Sequence, residues 1–274
     1  MAGSRNRDDY CYRHPRAESF VLCQRCGKTI CPECQIQAAV GFHCPDCAGV
    51  KKSGGLGGLF RRGSSGSVSL GTRPSATYVV LGIIVAVYVG QLLSGGLLTQ
   101  LFLYWPPLTA LEPWRMVTTM FVHSQSSVFH ILFNGYSLFI LGTLVERLIG
   151  PGRFVTLFLL SGFGGSVLVS LLSPTSAVVG ASGAIFGLFG ALFVIQRSFG
   201  GANTQLLIVL GLNLVMGFIV PGISWQAHIG GLITGAIVAN IMVKTRGEDP
   251  KQQRQGLGLV VLGLVALTVL GVVV

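Results

Sequence analysis

The sequence predicts an all-α polytopic membrane protein preceded by a small zinc-stabilised domain. Hydrophobic residues make up 51% of the 274 residues, charged residues make up only 10%, and the mean hydropathy is +0.69. Soluble domains carry about 25% charged residues, so this composition indicates membrane-spanning helices. The second unit is predicted by the cysteines, because all seven occur within the first fifty residues.

Seven apolar stretches approach the ~20 residues that a helix needs to cross the hydrocarbon core of a bilayer. They are predicted at 76–93, 127–148, 154–172, 181–195, 204–220, 226–243 and 257–274. The first six form a helical core, 76–243, and the seventh belongs to a C-terminal segment, 244–274. Upstream, 49–75 is rich in Gly and Ser and predicts a flexible linker to the cysteine-rich segment, 8–48.

Basic residues fall almost entirely on one side of the predicted membrane. They precede the first span, or they lie at or beyond the ends of the even-numbered spans: Arg61, Arg62, Arg73, Arg147, Arg153, Arg197, Lys244, Arg246, Lys251 and Arg254. The loops 173–180 and 221–225 contain no Lys or Arg. The positive-inside rule therefore predicts a cytoplasmic N-terminus and an extracytoplasmic C-terminus, and we expect a bacterial cell membrane as the location. The net charge of +10 is dispersed, which favours lipid rather than nucleic acid as the partner.

We expect no cleavable signal peptide, because the first fifty residues lack an apolar run. The polar residues within the spans carry more information. Ser182 and His228 stand at the start of the fourth and sixth spans, and His130 and Asn134 share one face of the second. Nucleophilic and ionisable groups are costly in lipid, so a function is their default interpretation. These three spans run in the same direction, which predicts one pocket reached from the outer face.

Small residues favour a close approach of the fourth and sixth spans. They recur at four-residue spacing, as Gly183 and Gly187 in one span and as Ala227, Gly231 and Gly235 in the other. Such stripes let transmembrane helices pack backbone to backbone, and they also occur as ordinary packing seams. They support a functional site only together with Ser182 and His228 at the starts of these spans.

The chemistry that these groups predict is nucleophilic attack on a carbonyl. Ser182 would be the nucleophile and His228 its base. The backbone N–H of Ser182, at a helix start, would form an oxyanion hole with His130 and Asn134. Each residue alone has a structural explanation, as a packing hydroxyl or an interhelical hydrogen-bond donor. We expect His123, in the loop before them, to be interfacial rather than catalytic.

Four segments agree in order and spacing with a known family over roughly 76–243. They are Trp114-Arg115, the run from His130 to Asn134, the run from Gly180 to Gly183, and Ala227-His228 with Gly231 and Gly235. Together they resemble the rhomboid family of intramembrane serine proteases. The resemblance implies a six-helix rhomboid core plus one C-terminal transmembrane helix, with Ser182 and His228 as the catalytic dyad and His130 and Asn134 as oxyanion residues.

The resemblance also implies substrates that are single-span membrane proteins, with small residues at the cleavage site. It places Trp114 and Arg115 in a loop that rests partly in the outer leaflet. Phe186 stands where many relatives have a tyrosine that packs on the base. Phenylalanine keeps the ring, so we expect the stacking to survive.

The cysteine-rich segment contains four ligand pairs, each with two residues between its members. They are Cys11 and His14, Cys23 and Cys26, Cys31 and Cys34, and Cys44 and Cys47. Joining alternate pairs leaves spacers of 16 and 17 residues, as in zinc ribbons, and resembles a cross-braced, B-box-like module. Sequential pairing is the alternative, and His43 could substitute in the second site. An odd number of cysteines in a reducing compartment argues against disulfides.

This module predicts two structural Zn²⁺ ions and no cofactor for catalysis. Its partner would be a cytoplasmic protein. Other protease classes fit the chain poorly, because no Asp occurs between Asp46 and Asp249 and there is no HExxH motif. A transporter would need charged sites within the membrane, and Glu146 is expected to pair with Arg147. The remaining alternative is a catalytically silent rhomboid-like scaffold or chaperone for membrane clients, which would be expected to lose Ser182 or His228.

Overall fold

The computed structural model describes residues 9–37, 42–48, 75–198, 204–220, 222–246 and 250–273. Contacts between Cα atoms divide the chain into two units, 1–69 and 70–274. The predicted linker, 49–75, lies outside the described residues except for Ser75.

The N-terminal unit has little regular structure in its described part. A 3-10 turn, Pro32–Cys34, precedes two short strands, β1 (Ile36–Gln37) and β2 (Phe42–His43), which pair antiparallel with Ile36 opposite His43. Its buried core consists of Ile30 with five thiols, those of Cys11, Cys23, Cys31, Cys34 and Cys44. A unit with so few large apolar side chains in its core needs cross-links to fold.

The described part of the C-terminal unit is helical. Its helices are α1 (Ser75–Leu93), α2 (Leu97–Phe102), α3 (Arg115–Thr118), α4 (Val128–Ser137), α5 (Thr143–Ile149), α6 (Pro151–Leu172), α7 (Ser182–Ser198), α8 (Thr204–Ile219), α9 (Trp225–Lys244) and α10 (Pro250–Val273). A π-helical segment, Leu138–Gly142, joins α4 to α5, so that Val128–Ile149 runs as one helix. A 3-10 turn, Pro106–Leu108, lies in the loop between α2 and α3.

Five helices of the described chain are long and apolar enough to cross a membrane. They are α1, the combined α4–α5 helix, α6, α9 and α10, while α7 and α8 are apolar but shorter. Each of the seven predicted spans corresponds to one of these helices. The largest difference is at α10, which begins at Pro250 rather than at 257, because polar residues continue the helix beyond its apolar part.

Helix α7 lies at the centre of this unit, packed against α6 and α9. Eleven of its 17 residues are buried, whereas Leu264 is the one buried residue of α10. The prediction that the seventh span is an addition to the core agrees with this peripheral position.

The predicted glycine seam joins α7 to α9. A Cβ atom at Gly231 would overlap the carbonyl oxygen of Gly183, and one at Gly235 would overlap that of Gly187. Only hydrogen at these positions lets the two backbones touch. This contact holds the first turns of α7 and α9 side by side.

Glu146 does not pair with Arg147 as the sequence suggested. Its carboxylate accepts hydrogen bonds from the backbone N–H groups of Ala76 (3.0 Å) and Thr77 (2.8 Å), and from the Thr77 hydroxyl (2.6 Å). These N–H groups lie in the first turn of α1 and have no partner within their own helix. Glu146 therefore caps α1, and its charge also favours the positive end of the helix dipole.

Candidate active site and metal sites

Helix α7 begins at Ser182, so the candidate nucleophile is its first residue. Gly180 makes the turn that precedes Ser182. Its φ of +114° is a backbone conformation that residues other than glycine rarely adopt. Ser182 is half-buried. The first N–H groups of a helix have no intrahelical acceptor, so those of α7 are free to bind developing negative charge beside Ser182.

His228 lies in the first turn of α9, which Ser224 caps by accepting a hydrogen bond from the Ala227 N–H (3.2 Å). The His228 ring is buried and stacks on Phe186, with centroids 4.0 Å apart and an interplanar angle of 11°. Phe186 is one turn after Ser182 on α7, so the expected stacking is present. His228 Nδ1 has no hydrogen-bond partner among the described residues and faces Gly217 of α8.

The two candidate dyad residues are held on facing turns of α7 and α9. Gly183 lies against the backbone carbonyl of Ala227, where a Cβ atom would come within 3.1 Å of the oxygen. These are the residues adjacent to Ser182 and His228. Within the described chain no hydrogen bond joins the Ser182 hydroxyl to His228. Such bonds are often long before a substrate binds.

His130 and Asn134 approach the same turn from α4. A Cβ atom on Gly180 would lie 2.8 Å from His130 Nε2 and 3.9 Å from Asn134 Nδ2. The Asn134 amide donates to the His130 carbonyl oxygen at 2.8 Å, which leaves its second N–H available. Both side chains therefore lie beside the turn that leads into Ser182.

His123 does not lie on the surface of the helical unit. It is fully buried, and its ring faces that of His130 with centroids 5.2 Å apart. The sequence places it in a loop, which is why we expected it at the membrane interface. The loop folds inward, and His123 becomes part of the wall behind His130.

The loop after α1 is also tied to the segment that precedes Ser182. Tyr104 and Val178 exchange backbone hydrogen bonds, and the Gly180 N–H donates to the carbonyl of Thr119 at 3.0 Å. Arg115 is buried and bonds the carbonyl oxygens of Gln100 and Leu103, while pairing with the Glu112 carboxylate. The sequence predicted a role for Arg115 but not these contacts. The bonds of Val178 and Gly180 to the loop hold the turn at Gly180 in place.

The described cysteines and His14 form two groups, joined by alternate pairs as expected for a cross-braced module. The first contains Cys11, His14, Cys31 and Cys34, and the second contains Cys23, Cys26, Cys44 and Cys47. In each group the ligand atoms lie within 4.8 Å of one another. Cys11 and His14 share a group with Cys31 and Cys34 rather than with the next pair along the chain, so the alternative of sequential pairing is wrong. His43 belongs to neither group.

The spacing of the ligand atoms fits a tetrahedral ion. His14 Nδ1 lies 3.2, 3.4 and 3.9 Å from the sulfurs of Cys31, Cys34 and Cys11. The sulfurs of Cys26 and Cys44 are 3.7 Å apart. Two ligands bound at about 2.3 Å on a tetrahedral zinc ion would be separated by about 3.7 Å. Both groups can therefore hold a metal ion.

The thiols of the first group differ in acidity. Burial raises the pKa of Cys11, but hydrogen bonds from the backbone of Cys31, Arg13 and His14 outweigh burial and lower it to about 6. Burial and the neighbouring thiols of Cys11 and Cys31 raise the pKa of Cys34 to about 12. A divalent cation would favour the thiolate form of every cysteine in the group.

Residues 110–245 match the family model described as "Rhomboid domain". The chain is 38% identical over 133 residues to "Rhomboid protease GluP" of Bacillus subtilis, covering 47% of this chain and 26% of that protein. It is 34% identical over 141 residues to "Putative rhomboid protease YdcA" of Bacillus subtilis, covering 49% of this chain and 70% of the relative. "RHOMBOID-like protein 6, mitochondrial" of Arabidopsis thaliana is 36% identical over 139 residues, 48% of this chain and 44% of that protein. The chain thus spans less than half the length of two of these three relatives.

Proposed function

Because the chain belongs to the rhomboid family, an integral membrane family that includes intramembrane proteases, we propose that it is a serine protease acting through Ser182 and His228. One observation carries the assignment of these residues. The α7–α9 seam holds Ser182 at the head of one helix beside His228 on the other, and Phe186 fixes the orientation of the His228 ring.

In the proposed reaction Ser182 Oγ attacks the carbonyl carbon of a peptide bond, and His228 Nε2 takes the hydroxyl proton. The tetrahedral intermediate collapses with cleavage of the C–N bond, and His228 returns the proton to the leaving amine. Water then hydrolyses the acyl-enzyme with the same proton transfers in reverse order.

The negative charge on the carbonyl oxygen needs donors that are already in place. The Ser182 N–H at the start of α7, His130 Nε2 and the second N–H of Asn134 are the proposed donors. His130 and Asn134 both lie near the position that a Cβ atom on Gly180 would take, which supports a common target for the two side chains. Loss of one such donor typically lowers kcat by about 10²- to 10³-fold.

The proposed substrates are transmembrane segments of single-span membrane proteins, cleaved within the bilayer. The pocket would open on the extracytoplasmic side if the positive-inside pattern sets the topology. For the N-terminal unit we propose two structural zinc ions and a role in binding a cytoplasmic partner. Seven cysteines and one histidine would hold these ions, which would stabilise a core that has few apolar side chains.

A proteolysis assay tests the proposed dyad. The wild type and the variants Ser182→Ala, His228→Ala and the double variant would be purified in detergent and incubated with a single-span test substrate. We expect cleavage by the wild type alone, and the double variant should be no worse than either single one, because the two groups act as a unit. Cleavage that persists in folded Ser182→Ala would refute the assignment of the nucleophile, whereas a folded wild type that cleaves nothing would favour the scaffold role.

A further inference from the structure

Gln91 forms a hydrogen-bond network that the proposed reaction does not use directly. It lies near the C-terminal end of α1 and is fully buried. Its amide Nε2 donates to the Thr99 hydroxyl (2.6 Å) and to the His123 carbonyl oxygen (2.8 Å). Its Oε1 accepts from the His123 N–H at 3.0 Å. All the hydrogen-bonding groups of this amide are therefore engaged.

The orientation of the Gln91 amide follows from these partners. Reversing the amide would place its NH₂ group against the His123 N–H and its oxygen against the His123 carbonyl oxygen. A donor would then face a donor, and an acceptor would face an acceptor. The amide thus forms hydrogen bonds with both the N–H and the carbonyl oxygen of His123. Removing it would leave buried backbone groups without partners, which is costly.

The peptide unit that accepts a hydrogen bond from the Gln91 amide also contacts His130, a candidate oxyanion residue. This unit consists of the His123 carbonyl and the Ser124 N–H. Ser124 N donates to His130 Nδ1 at 3.1 Å. A continuous chain of hydrogen bonds thus runs from the Gln91 amide through one peptide group to the His130 ring. Each bond in such a chain polarises and strengthens the next.

This chain of bonds decides which nitrogen of His130 carries the proton. Because Nδ1 accepts a hydrogen bond from a backbone N–H, it has no proton of its own in the neutral ring, and Nε2 must be the donor. The Cε1–Nε2 edge of the His130 ring faces Gly180, and both atoms would lie 2.8 Å from a Cβ atom placed there. The proton therefore points toward the turn that leads into Ser182.

We propose that Gln91 is a positioning residue that holds His130 in its Nε2–H form through the His123–Ser124 peptide. The proposal rests on the proposed function for its effect on turnover, but the tautomer of His130 is a property of the protein without substrate. Gln91 touches neither the Gly180 turn nor the dyad in the described contacts. It acts on the reaction through His130 alone.

Nitrogen NMR of histidine-labelled protein tests the tautomer, with His130→Asn used to assign the signal. In the wild type we expect Nε2 to be protonated and Nδ1 to be unprotonated. The Gln91→Leu variant keeps the size of the side chain but loses the amide, and should show a mixture of the two tautomers. A wild-type His130 protonated on Nδ1, or an unchanged signal in Gln91→Leu, would overturn the proposal whether or not the protein cleaves a substrate.

Turnover gives the second test, arranged as a double-mutant cycle. We expect Gln91→Leu to lower kcat about 10-fold with little change in KM, and to have no further effect once His130 is replaced by Ala. Ser94→Ala is the matched control. It removes a hydrogen bond to the Gln91 carbonyl oxygen at the same helix end but leaves the side-chain amide in place. An equal loss of kcat in the His130→Ala background, or in the control, would show that Gln91 acts only by supporting the fold.

Gln91→Glu keeps the proposal testable if the leucine variant does not fold. The ionised carboxylate cannot donate to the His123 carbonyl oxygen, whereas the protonated acid can. The kcat of Gln91→Glu relative to that of the wild type should therefore rise as the pH falls. A ratio that is independent of pH would contradict the proposal. A wild type without any proteolysis would instead count against the proposed function, and the NMR measurement would still decide the role of Gln91.

Discussion

The imidazole of His228 lies flat on the ring of Phe186, with centroids 4.0 Å apart and an interplanar angle of 11°. Phe186 belongs to the helix that Ser182 begins, whereas His228 belongs to α9. The stack therefore couples the orientation of the candidate base to the helix that carries the candidate nucleophile.

Phe186→Leu should lower the rate of cleavage because it removes this stack. Aromatic pairs contribute about 0.5–1.5 kcal/mol, so we expect kcat to fall about 2- to 12-fold. Phe186→Tyr keeps the ring and should retain most of the activity. Steady-state cleavage of a single-span test substrate measures both variants. Equal rates for Phe186→Leu and the wild type would show that the stack does not hold the base.

Gly231→Ala should destabilise the helical unit, because the added methyl group would overlap the Gly183 carbonyl oxygen. Overpacking of this kind typically costs about 1–3 kcal/mol. Gly211→Ala on α8 is the matched control, since nothing lies within 4 Å of a Cβ atom at that position. Thermal unfolding in detergent should show a lower Tm for Gly231→Ala alone. Similar shifts in both variants would mean that the seam is not close-packed.

Cys23→Ser should remove one of two zinc ions, because Cys23 belongs to the second ligand group. His43→Ala should leave both ions bound, although His43 adjoins Cys44 in the sequence. Elemental analysis of the purified full-length protein gives the ion count for each variant. Loss of an ion from His43→Ala, or a wild type that binds no zinc when it is supplied, would contradict the ligand assignment.

His123 should make the stability of the helical unit sensitive to acid. Burial, followed by interaction with His130, lowers the pKa of His123 to about 4. An unfolded histidine, with a pKa of about 6.5, binds a proton in this interval while the folded one does not. The free energy of unfolding therefore falls as the pH falls from about 6.5 to about 4, by up to about 3 kcal/mol.

The variant His123→Asn lacks this titrating group and tests the prediction. Unfolding of both proteins would be followed at several pH values. The wild type should lose stability more steeply than the variant below about pH 6.5. Parallel pH dependences would show that His123 is not the group responsible.

The sequence predicted the helices and the set of polar residues better than the contacts that orient them. Span length and hydropathy are local properties, so each of the seven predicted spans matches an apolar helix of the described chain. Ser182, His130, Asn134 and His228 stood out because polar groups are rare in lipid. Gln91 was overlooked. The presence of an amide in an apolar span could have drawn attention to it. Its partners at His123, however, lie in a loop, and hydrophobic periodicity does not predict how a loop folds.

Errors in the sequence-based prediction arose where tertiary contacts override local surroundings. Glu146 adjoins Arg147, which suggested an ion pair, yet its carboxylate caps α1, which lies far from it in the sequence. His123 was expected at the interface because it lies in a loop between predicted spans, but the loop buries it against His130. The alternate pairing of the zinc ligands was an open choice until the structure brought the four pairs together.

Labelling with a serine-reactive fluorophosphonate, followed by mass spectrometry of the modified peptide, tests the central claim most directly. The claim is that the contact of α7 with α9 activates Ser182. We expect one adduct on Ser182 in the wild type, none in Ser182→Ala, and strongly reduced labelling in His228→Ala. Ser198→Ala, at the other end of α7, should label like the wild type. An adduct on a different serine, or a folded wild type that reacts no faster than His228→Ala, would contradict the account.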